Sequence, residues 1–561
     1  MKNTGWQPYD GESYLSYPEI EAWLTSLVER FPEWVNLTSI GRSRQNRALH
    51  LVTLGQQDGR EDERPGFWLD GGTHSAEWTG IMACIYSLSK WIEAIKDGDQ
   101  GLTDWLKNHT IYVMPCVSPD GFSAMYDGEP FLRSCMRPPA LGRVRSGLDP
   151  QDVDGDGEVR WMRWKHPAGS YVKDESIPGF MRPRTLNDNP DDAYFFAPEG
   201  AFMEWDGVAW QQAPRQFGLD LNRNFPSHWA PFSMFGMDGG VFSLSEPESR
   251  ALMDAFVARP FIGAGLTNHT YTGCILTQPS RENSPLGDAD ILLLERLAHE
   301  LVKDTDYRVF RIFPDFAYNK KKAVVGLWSD TMTTTLGVPS YTLELWDPFK
   351  FCGLENEDPV GFFVRPNHDN IRALVAGMIE RTDAMAPWKT FNHPQLGPIE
   401  IGGLNYLKTV RNPPDAHLAA ECERGFMVAD RLRKTLPSMN ITTEVETYGS
   451  RKTIRVQIEN TGYLSTMGME LANSLPGTPY VSVALEAGDG VHTVAGPSAQ
   501  NLPHLSGWGL QGTNGANSIY PSLTPKSHRQ QVEFDVEGEG QVKLVFTLGR
   551  GGRTSLVVDI D

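Results

Sequence analysis

The sequence predicts an α/β protein with a mixed β-sheet flanked by helices, followed by an all-β sandwich domain. In the first part of the chain, short and nearly all-apolar runs alternate with segments of helical periodicity. Such runs are typical of strands that are buried on both faces of a sheet. From about residue 441 onward, short β-like runs alternate with Gly-rich turns, which is the pattern of a β-sandwich.

The predicted α/β part begins with an amphipathic helix, because apolar residues recur at helical spacing from Ile20 to Phe31. Two β-like runs follow, and a third at residues 67–70 ends in Gly71 and Gly72. Residues 77–95 then predict a long helix. The runs that predict fully buried strands are residues 110–117, 261–266 and 341–345.

The predicted domain organisation has three parts. Residues 1–390 form the α/β domain, which carries a long irregular insertion at about 138–216 that is rich in Pro, Gly, Asp and Arg. Residues 391–440 form a linker and a helical segment, and residues 441–561 form the β-sandwich. A chain of 561 residues is too long for one hydrophobic core, which agrees with more than one domain.

The overall charge excludes one class of partner. The chain has 51 Lys and Arg residues against 71 Asp and Glu residues, a net charge of −20, so nucleic acid is not an expected partner. No run of about 18 apolar residues predicts a membrane span, and the N-terminus lacks the apolar core of a secretory signal. The six cysteines are scattered without a CxxC pair. We therefore expect a cytoplasmic protein with reduced thiols, whose oligomeric state the sequence does not predict.

Three segments carry residues that suit a metal site. His74 and Glu77 stand three residues apart at a predicted strand-to-helix corner, where both side chains can face one ion, and imidazole and carboxylate both suit zinc. Chance alone gives about one or two His-x-x-acid matches in this composition, and a capping or core histidine is the plain alternative. His269 ends another predicted strand, and sites in open α/β sheets gather at the carboxyl ends of strands. Glu344 lies within a third such strand, where a carboxylate needs either a partner or a function.

Four short motifs follow one another along the chain: HSAE at 74–77, DLNRNFP at 220–226, NHTY at 268–271 and TLEL at 342–345. SPDGF, at 118–122, lies between the first two. In this order they resemble the zinc carboxypeptidase family, the carboxypeptidase A-like group, over roughly residues 10–385. Two later segments, FNHPQLGPIEIGG and NTGYLST, resemble a bacterial branch of that family with an appended C-terminal β domain.

The resemblance implies a zinc metallopeptidase that hydrolyses the C-terminal peptide bond of a peptide by a metal-activated water. It implies His74, Glu77 and His269 as the zinc ligands, with a fourth position left for water. It also implies Glu344 as the base that takes a proton from the water and delivers it to the leaving amine.

The resemblance extends to the oxyanion and the closing tyrosine. An arginine after the PDG motif polarises the scissile carbonyl in the family; Arg133 fits best by its distance from Gly121, and Arg137 is close enough to stay a candidate. For the tyrosine that closes over the substrate, Tyr318 is the nearest candidate, although its interval to Glu344 is longer than in the family.

Asn222 and Arg223 match the pair that grips the terminal carboxylate of the substrate, and an arginine can bind a carboxylate with two parallel bonds. A solvated turn is the plain alternative for these two residues. The expected partner is therefore a peptide with a free C-terminal carboxylate, whose side-chain preference the sequence does not predict.

A second candidate metal motif is independent of the first. Asp152, Asp154, Asp156 and Glu158 stand at alternate positions with glycines between them, which resembles the first half of an EF-hand-type calcium loop. The twelfth position of that loop is Arg163, where a bidentate glutamate belongs. The segment is therefore either a calcium site or a solvated acidic turn.

Two other functions fit the same residues. Relatives of this fold act on peptidoglycan stem peptides, on side-chain glutamates or on N-acyl amino acids, and the NRNF motif favours substrates with a free carboxylate without deciding among them. The other alternative is a non-catalytic binding protein, against which the complete ligand set and base argue. The C-terminal β domain shows no catalytic cluster, so an interaction or stabilising role is expected for it.

Overall fold

The computed structural model describes residues 6–137, 146–208, 210–215, 217–234, 237–509 and 527–561. Parts of the predicted insertion, residues 138–145, 209 and 216, lie outside the described residues, as do residues 510–526 of the predicted sandwich. Among the helices that the structure describes, none combines the length and the apolar character needed to cross a membrane.

Up to residue 137 the chain alternates helices with strands. These elements are α1 (Tyr17–Arg30), β1 (Val35–Arg42), β2 (Ala48–Leu54), β3 (Gly66–Gly71), α2 (Trp78–Lys96), α3 (Gln100–Asn108), β4 (Thr110–Met114) and α4 (Pro119–Tyr126). The first helix starts with a capping box, in which Ser16 and Glu19 exchange hydrogen bonds between side chain and backbone. The long helix predicted at 77–95 is α2.

The predicted insertion is not irregular throughout, because its described residues contain several short strands. They are β5 (Gly147–Pro150), β6 (Trp161–Lys165), β7 (Tyr171–Lys173), β8 (Met181–Pro183), β9 (Tyr194–Pro198) and β10 (Gly200–Met203). Their shortness explains why the period-two pattern of a strand is hard to read in this segment.

The α/β part then resumes. Its elements are β11 (Ser233–Met234), β12 (Met237–Asp238), α5 (Pro247–Val257), β13 (Ile262–Thr270), β14 (Cys274–Thr277), α6 (Asp288–Leu301), β15 (Arg308–Arg311), α7 (Trp328–Asp330), β16 (Ser340–Leu345), α8 (Pro348–Phe351), α9 (Pro359–Val364) and α10 (His368–Arg381).

A mixed eight-stranded sheet forms the centre of this part, in the order β1-β2-β4-β3-β13-β16-β14-β15. The strands β4, β3, β13 and β16 pair in parallel, whereas β2 meets β4 and β14 meets β16 in the antiparallel sense. Every residue of β3, β4 and β13 is buried. One hydrophobic cluster, with α1, α2, α6 and a later helix, covers one face, and a second cluster with α5 and Trp328 covers the other. The predicted mixed α/β sheet is confirmed.

The segment predicted as a linker has a larger role in the structure. It contains β17 (Met385–His393), β18 (Gly397–Leu404) and α11 (Asp415–Arg433). The two strands join the insertion in one six-stranded sheet, ordered β17-β18-β6-β9-β7-β8. The helix packs against α2, where a Cβ at Gly425 would lie 3.1 Å from the Cβ of Ala83. Because these pairings join residues far apart in sequence, local composition does not reveal them.

The C-terminal part contains two antiparallel four-stranded sheets, β19-β20-β24-β22 and β23-β21-β25-β26. Their strands are β19 (Met439–Tyr448), β20 (Arg451–Asn460), β21 (Val481–Ala487), β22 (Val491–Ala495), β23 (Ala499–Leu502), β24 (Arg529–Gly538), β25 (Gly540–Leu548) and β26 (Arg553–Ile560). One hydrophobic cluster draws apolar side chains from both sheets, so the two sheets share a core. This arrangement is the predicted sandwich.

A buried arginine joins the sandwich to the central sheet. Arg550 is 4% exposed and donates hydrogen bonds to the carbonyl oxygens of Met467, Pro260, Ile262 and Leu336. Burial lowers its pKa to about 10, and no carboxylate among the described residues offsets this. Since Ile262 begins β13, the sandwich stabilises the start of a central strand.

We expect Arg550→Met to lower the free energy of unfolding by about 2–4 kcal/mol, because the substitution leaves buried carbonyl groups without donors. Chemical denaturation followed by fluorescence measures the change. The control is Arg553→Met, an exposed arginine in the adjacent strand, which we expect to change stability by less than about 0.5 kcal/mol. Equal stability of the two variants would contradict the role of Arg550 at this interface.

Candidate functional site

Two glycines turn the chain from the central sheet into the metal-binding motif. Strand β3 ends at Gly71, where a Cβ would lie 2.5 Å from the carbonyl oxygen of Gly80 in α2. Gly72 follows with φ +69°, a conformation that side chains other than glycine rarely adopt. The close approach of helix and strand then places His74 in the loop and Glu77 at the N-cap of α2.

The neighbouring parallel strands bring the other two predicted residues to the same edge. His269 in β13 and Glu344 in β16 are register partners, so their side chains lie next to each other. On the opposite side β13 pairs with β3, which leads into His74. The sheet therefore gathers four predicted residues that are up to 270 positions apart, 344 − 74.

Three ligand atoms of this group converge on one point. Nδ1 of His74 lies 3.0 Å from Nδ1 of His269, and each of these nitrogens lies within 3.0 Å of a carboxylate oxygen of Glu77. Ligand atoms at the corners of a tetrahedral zinc site lie about 3.3 Å apart, given Zn–N distances near 2.0–2.1 Å. Two imidazoles and a carboxylate with this spacing fit a zinc ion.

The outer ring nitrogens are held so that the inner ones can act as ligands. Nε2 of His74 lies 3.2 Å from Oδ1 of Asp220. Nε2 of His269 lies 3.4 Å from Oγ1 of Thr267, whose hydroxyl donates to Asp70 at 2.6 Å. A ring that donates from Nε2 keeps the lone pair of Nδ1 free for a metal.

The charge of Glu77 is maintained despite its burial. Burial disfavours the ionised carboxylate, but His74 and His269 outweigh burial and hold the pKa of Glu77 well below its usual range. Two guanidinium groups approach the same carboxylate, Arg133 at 3.1 Å and Arg411 at 3.5 Å. Glu77 is therefore anionic, as a metal ligand must be.

Glu344 lies beside the candidate ligands and forms no ion pair with any described residue. Burial raises its pKa to about 7, and the charge of His269 partly offsets this shift. A pKa near neutrality suits a group that both accepts and donates a proton at neutral pH. Glu77 and Glu344 both line a cavity of about 900 Å³.

The structure separates the two candidate arginines of the loop after α4. Arg133 lines the cavity and donates from Nη1 to Glu77 and from Nε to Asp220. Burial disfavours its charge, but Asp220 and Glu77 outweigh burial and raise its pKa. Arg137 instead forms ion pairs with Asp238 and Glu246, and the described wall of the cavity does not include it.

Asn222 and Arg223 lie behind Asp220 rather than in the described wall of the cavity. They form a short helical turn that Asp220 caps by accepting from the backbone N–H of Asn222. Nη1 of Arg223 donates to the carbonyl of Asn222, and its Nε is buried without a hydrogen-bond partner among the described residues. This places a buried donor without an acceptor among the described residues close to Asp220, whose carboxylate holds His74.

Tyr318 lies in the cavity wall and adds to the forces that raise the pKa of Arg133, so it lies near that guanidinium. Two further tyrosines, Tyr271 and Tyr406, share the same wall. The role of Tyr318 as the closing tyrosine stays a prediction.

Several residues at the site were not predicted from the sequence. Asp70 and Thr267 are ordinary strand residues by pattern, and only the pairing of β3 with β13 places them behind His269. Arg411 follows the motif-bearing stretch and comes from the segment predicted as a linker. Arg215 lies at the end of the predicted insertion, where its composition resembles that of a loop. Their spacing along the chain carries no signal for this site.

The candidate calcium residues Asp152, Asp154 and Asp156 lie together in one acidic loop. Their carboxylates accept hydrogen bonds from backbone N–H groups of the same loop, and Asp156 also pairs with Arg160. Glu158 pairs with Arg160 as well. These internal contacts are those of a solvated acidic turn, and calcium binding stays a prediction without further support.

We expect Asp220→Asn to weaken zinc binding about 10- to 100-fold, because the carboxylate orients the ring of His74. Competition with a chelator measures the dissociation constant of zinc. The control, Asp238→Asn, alters a carboxylate that pairs with Arg137 away from the cavity, and should leave zinc affinity unchanged.

The double variant His74→Ala, His269→Ala should bind no zinc. Full zinc content in that double variant would refute this ligand assignment.

Comparisons with known proteins agree with the motif order. A family model described as zinc carboxypeptidase matches residues 20–154 and 189–370, more than half of the chain, and the gap between the matches lies in the insertion. A model of a domain of unknown function matches residues 441–559.

Curated relatives include carboxypeptidase B of Astacus astacus, 32% identical over 124 residues that cover 22% of this chain and 39% of the relative. Zinc carboxypeptidase A 1 of Anopheles gambiae is 32% identical over 146 residues, which cover 26% of this chain and 31% of the relative. These matches thus span about a third of the length of those two relatives. Carboxypeptidase B2 of Bos taurus is 28% identical over 382 residues, which cover 65% of this chain and 69% of the relative.

A crystal structure of thrombin activatable fibrinolysis inhibitor aligns over 66% of this chain and 75% of its own, with 20% identity and a TM-score of 0.40. The matched family model covers every segment that carries the ligands His74, Glu77 and His269 and the neighbouring Glu344. The chain belongs to the zinc carboxypeptidase family.

Proposed function

We propose that this protein is a zinc-dependent metallocarboxypeptidase that hydrolyses the C-terminal peptide bond of peptides with a free carboxylate. The observation that supports this most is the convergence of His74, Glu77 and His269 on one point of the cavity, with Glu344 beside them. Family membership agrees with the same chemistry.

His74, Glu77 and His269 would hold the zinc ion, which when bound lowers the pKa of water and polarises a carbonyl group. Glu344 lies next to His269 and has no competing ion pair among the described residues, so it can accept the proton of the attacking water. The same carboxyl group then donates that proton to the leaving amine.

Arg133 supplies a positive charge at the carbonyl oxygen. Two of its nitrogens are held by Glu77 and Asp220, which orients the guanidinium. Its Nη2 has no hydrogen-bond partner among the described residues and can donate to the oxygen as negative charge develops on it. Prior orientation of the donor avoids a reorganisation cost during the reaction.

Arg223 would bind the terminal carboxylate of the substrate. Its buried Nε lacks an acceptor, and a buried donor without a partner costs about 1–3 kcal/mol until an acceptor arrives. A carboxylate supplies that acceptor, and the adjacent Asn222 still has its amide nitrogen without a partner among the described residues. This arrangement favours a substrate that ends next to Asp220.

If Glu344 is the base, Glu344→Gln should lower turnover by a factor on the order of 10²–10⁴ while zinc and substrate binding persist. Initial rates on a free-acid peptide, with zinc content and peptide affinity in parallel, measure the effect. Glu129→Gln is the matched control, since Glu129 is an exposed carboxylate elsewhere in the cavity wall. Near-normal turnover of the Glu344 variant would rule out this assignment.

Loss of Arg223 should depend on the end of the substrate. With a free-acid peptide, Arg223→Ala should lose about 2–5 kcal/mol of binding to the transition state, roughly 30- to several-thousand-fold in kcat/KM. The C-terminal amide of the same peptide should be poor with the wild type and change little with the variant. Equal cleavage of acid and amide by the wild type would mean that the enzyme is not an exopeptidase.

A further inference from the structure

Two arginines of the cavity wall lie near one aromatic ring, and neither is needed for the proposed hydrolysis. The guanidinium carbons of Arg215 and Arg411 each lie 5.7 Å from the centre of the ring of Phe131. A third arginine of the cavity wall, Arg133, lies close enough to Arg215 to affect it: burial and the charge of Arg133 lower the pKa of Arg215. Like charges repel each other; Glu77 and Asp220 offset this repulsion for Arg133, whereas Arg215 has no such partner among the described residues.

The carboxylates of the described residues balance these arginines only in part. Arg215 has no carboxylate partner among the described residues. The carboxylate nearest to Arg411 is Glu77, at 3.5 Å, which is the group that would bind zinc. The Nε of Arg411 is buried without a hydrogen-bond partner among the described residues. Glu129, an exposed acid in the same wall, makes no ion pair with either arginine.

Other cations of the cavity wall are already neutralised. Arg160 pairs with Asp156 at 2.8 Å and with Glu158 at 3.0 Å. Lys408 pairs with Asp415 at 3.2 Å. The cavity is therefore not simply rich in positive charge: of the described cations in its wall, Arg215 lacks a carboxylate partner, and Arg411 shares Glu77 with Arg133.

The position of Arg215 and Arg411 indicates which part of a substrate they meet, and this step rests on the proposed function. The terminal carboxylate would lie at Arg223, behind Asp220 and outside the described cavity wall. Arg411 lines the cavity instead, 3.5 Å from Glu77, and donates to the carbonyl of Thr270. The chain before the scissile bond must therefore run into the cavity, past Phe131.

We propose that Arg215 and Arg411 form an anion-binding subsite that takes an acidic side chain one or two residues before the scissile bond, so that the preferred substrates are acidic peptides. A guanidinium binds a carboxylate through two parallel hydrogen bonds. The ring of Phe131 lies near both guanidinium groups, and the burial of Arg411 strengthens the attraction there. A basic side chain in the same place would be repelled.

The test compares two sets of free-acid peptides, identical except for Glu or Gln at the first or second residue before the scissile bond. The zinc-loaded full chain is assayed with each pair of peptides. At one of the two positions, we expect kcat/KM for the Glu peptide to exceed that for the matching Gln peptide by about tenfold or more. Arg215→Gln and Arg411→Gln should each reduce this ratio towards one. Arg215→Lys should retain part of it, and Lys408→Gln, which removes a paired charge from the same wall, should leave it unchanged.

Binding gives a second measurement that does not depend on turnover. Calorimetry with the zinc-loaded Glu344→Gln variant should show the same preference for the Glu peptide in Kd, and adding Arg215→Gln should abolish it. Thermal denaturation establishes that each variant is folded; Arg215 is exposed, so its replacement should not alter the fold.

The outcomes separate the two proposals. Equal rates and equal affinities for the Glu and Gln peptides overturn the subsite, and so does a preference that survives both arginine substitutions. If the wild type cleaves no peptide but still binds the Glu peptide selectively through Arg215, the proposed hydrolysis fails and the subsite stands. Cleavage without preference leaves the hydrolysis standing and removes the subsite.

Discussion

The parallel pairing of β13 with both β3 and β16 is the constraint on which the rest of the site depends. Its register sets Thr267 opposite Asp70 and His269 opposite Glu344. Because side chains alternate between the two faces of a strand, a slip of one residue would turn His269 away from Glu77. The burial of β3 and β13, and of β16 apart from Glu344, makes such a slip costly, so the core of the protein positions the candidate metal ligands.

Asp70 stabilises this register. It is fully buried and accepts hydrogen bonds from the indole N–H groups of Trp68 and Trp328 and from the hydroxyl of Thr267. Burial raises its pKa, while these three donors favour the charged form. One carboxylate thus connects β3, β13 and α7, and through Thr267 it also orients His269. The hydrophobic core and the metal site share this residue.

The cavity has a different origin from the ligands. The six-stranded sheet brings the insertion against residues 385–404, and the turn after it carries Tyr406 and Arg411. Arg163 strengthens this contact through Glu400 at 3.0 Å and through the ring of Trp388, 3.9 Å from its guanidinium carbon. The candidate zinc ligands therefore come from the central sheet. The groups that would contact the substrate away from the scissile bond come from the insertion and from the segment after residue 385. Substrate preference can change in such segments without disturbing the zinc ligands.

The sequence by itself determined the mixed α/β sheet and the β-sandwich, and it singled out His74, Glu77, His269 and Glu344 as candidate site residues. These features are local: apolar runs predict buried strands, and each ligand stands at a predicted strand end or in a short motif. Only the tertiary structure decided between Arg133 and Arg137, since both follow α4 and differ in the carboxylates that they meet. It also assigned the predicted linker to the cavity wall and placed Arg215 and Arg411 each 5.7 Å from the ring centre of Phe131. Arg411 and Phe131 stand 280 positions apart, 411 − 131, and such contacts depend on packing free energy that no local pattern records.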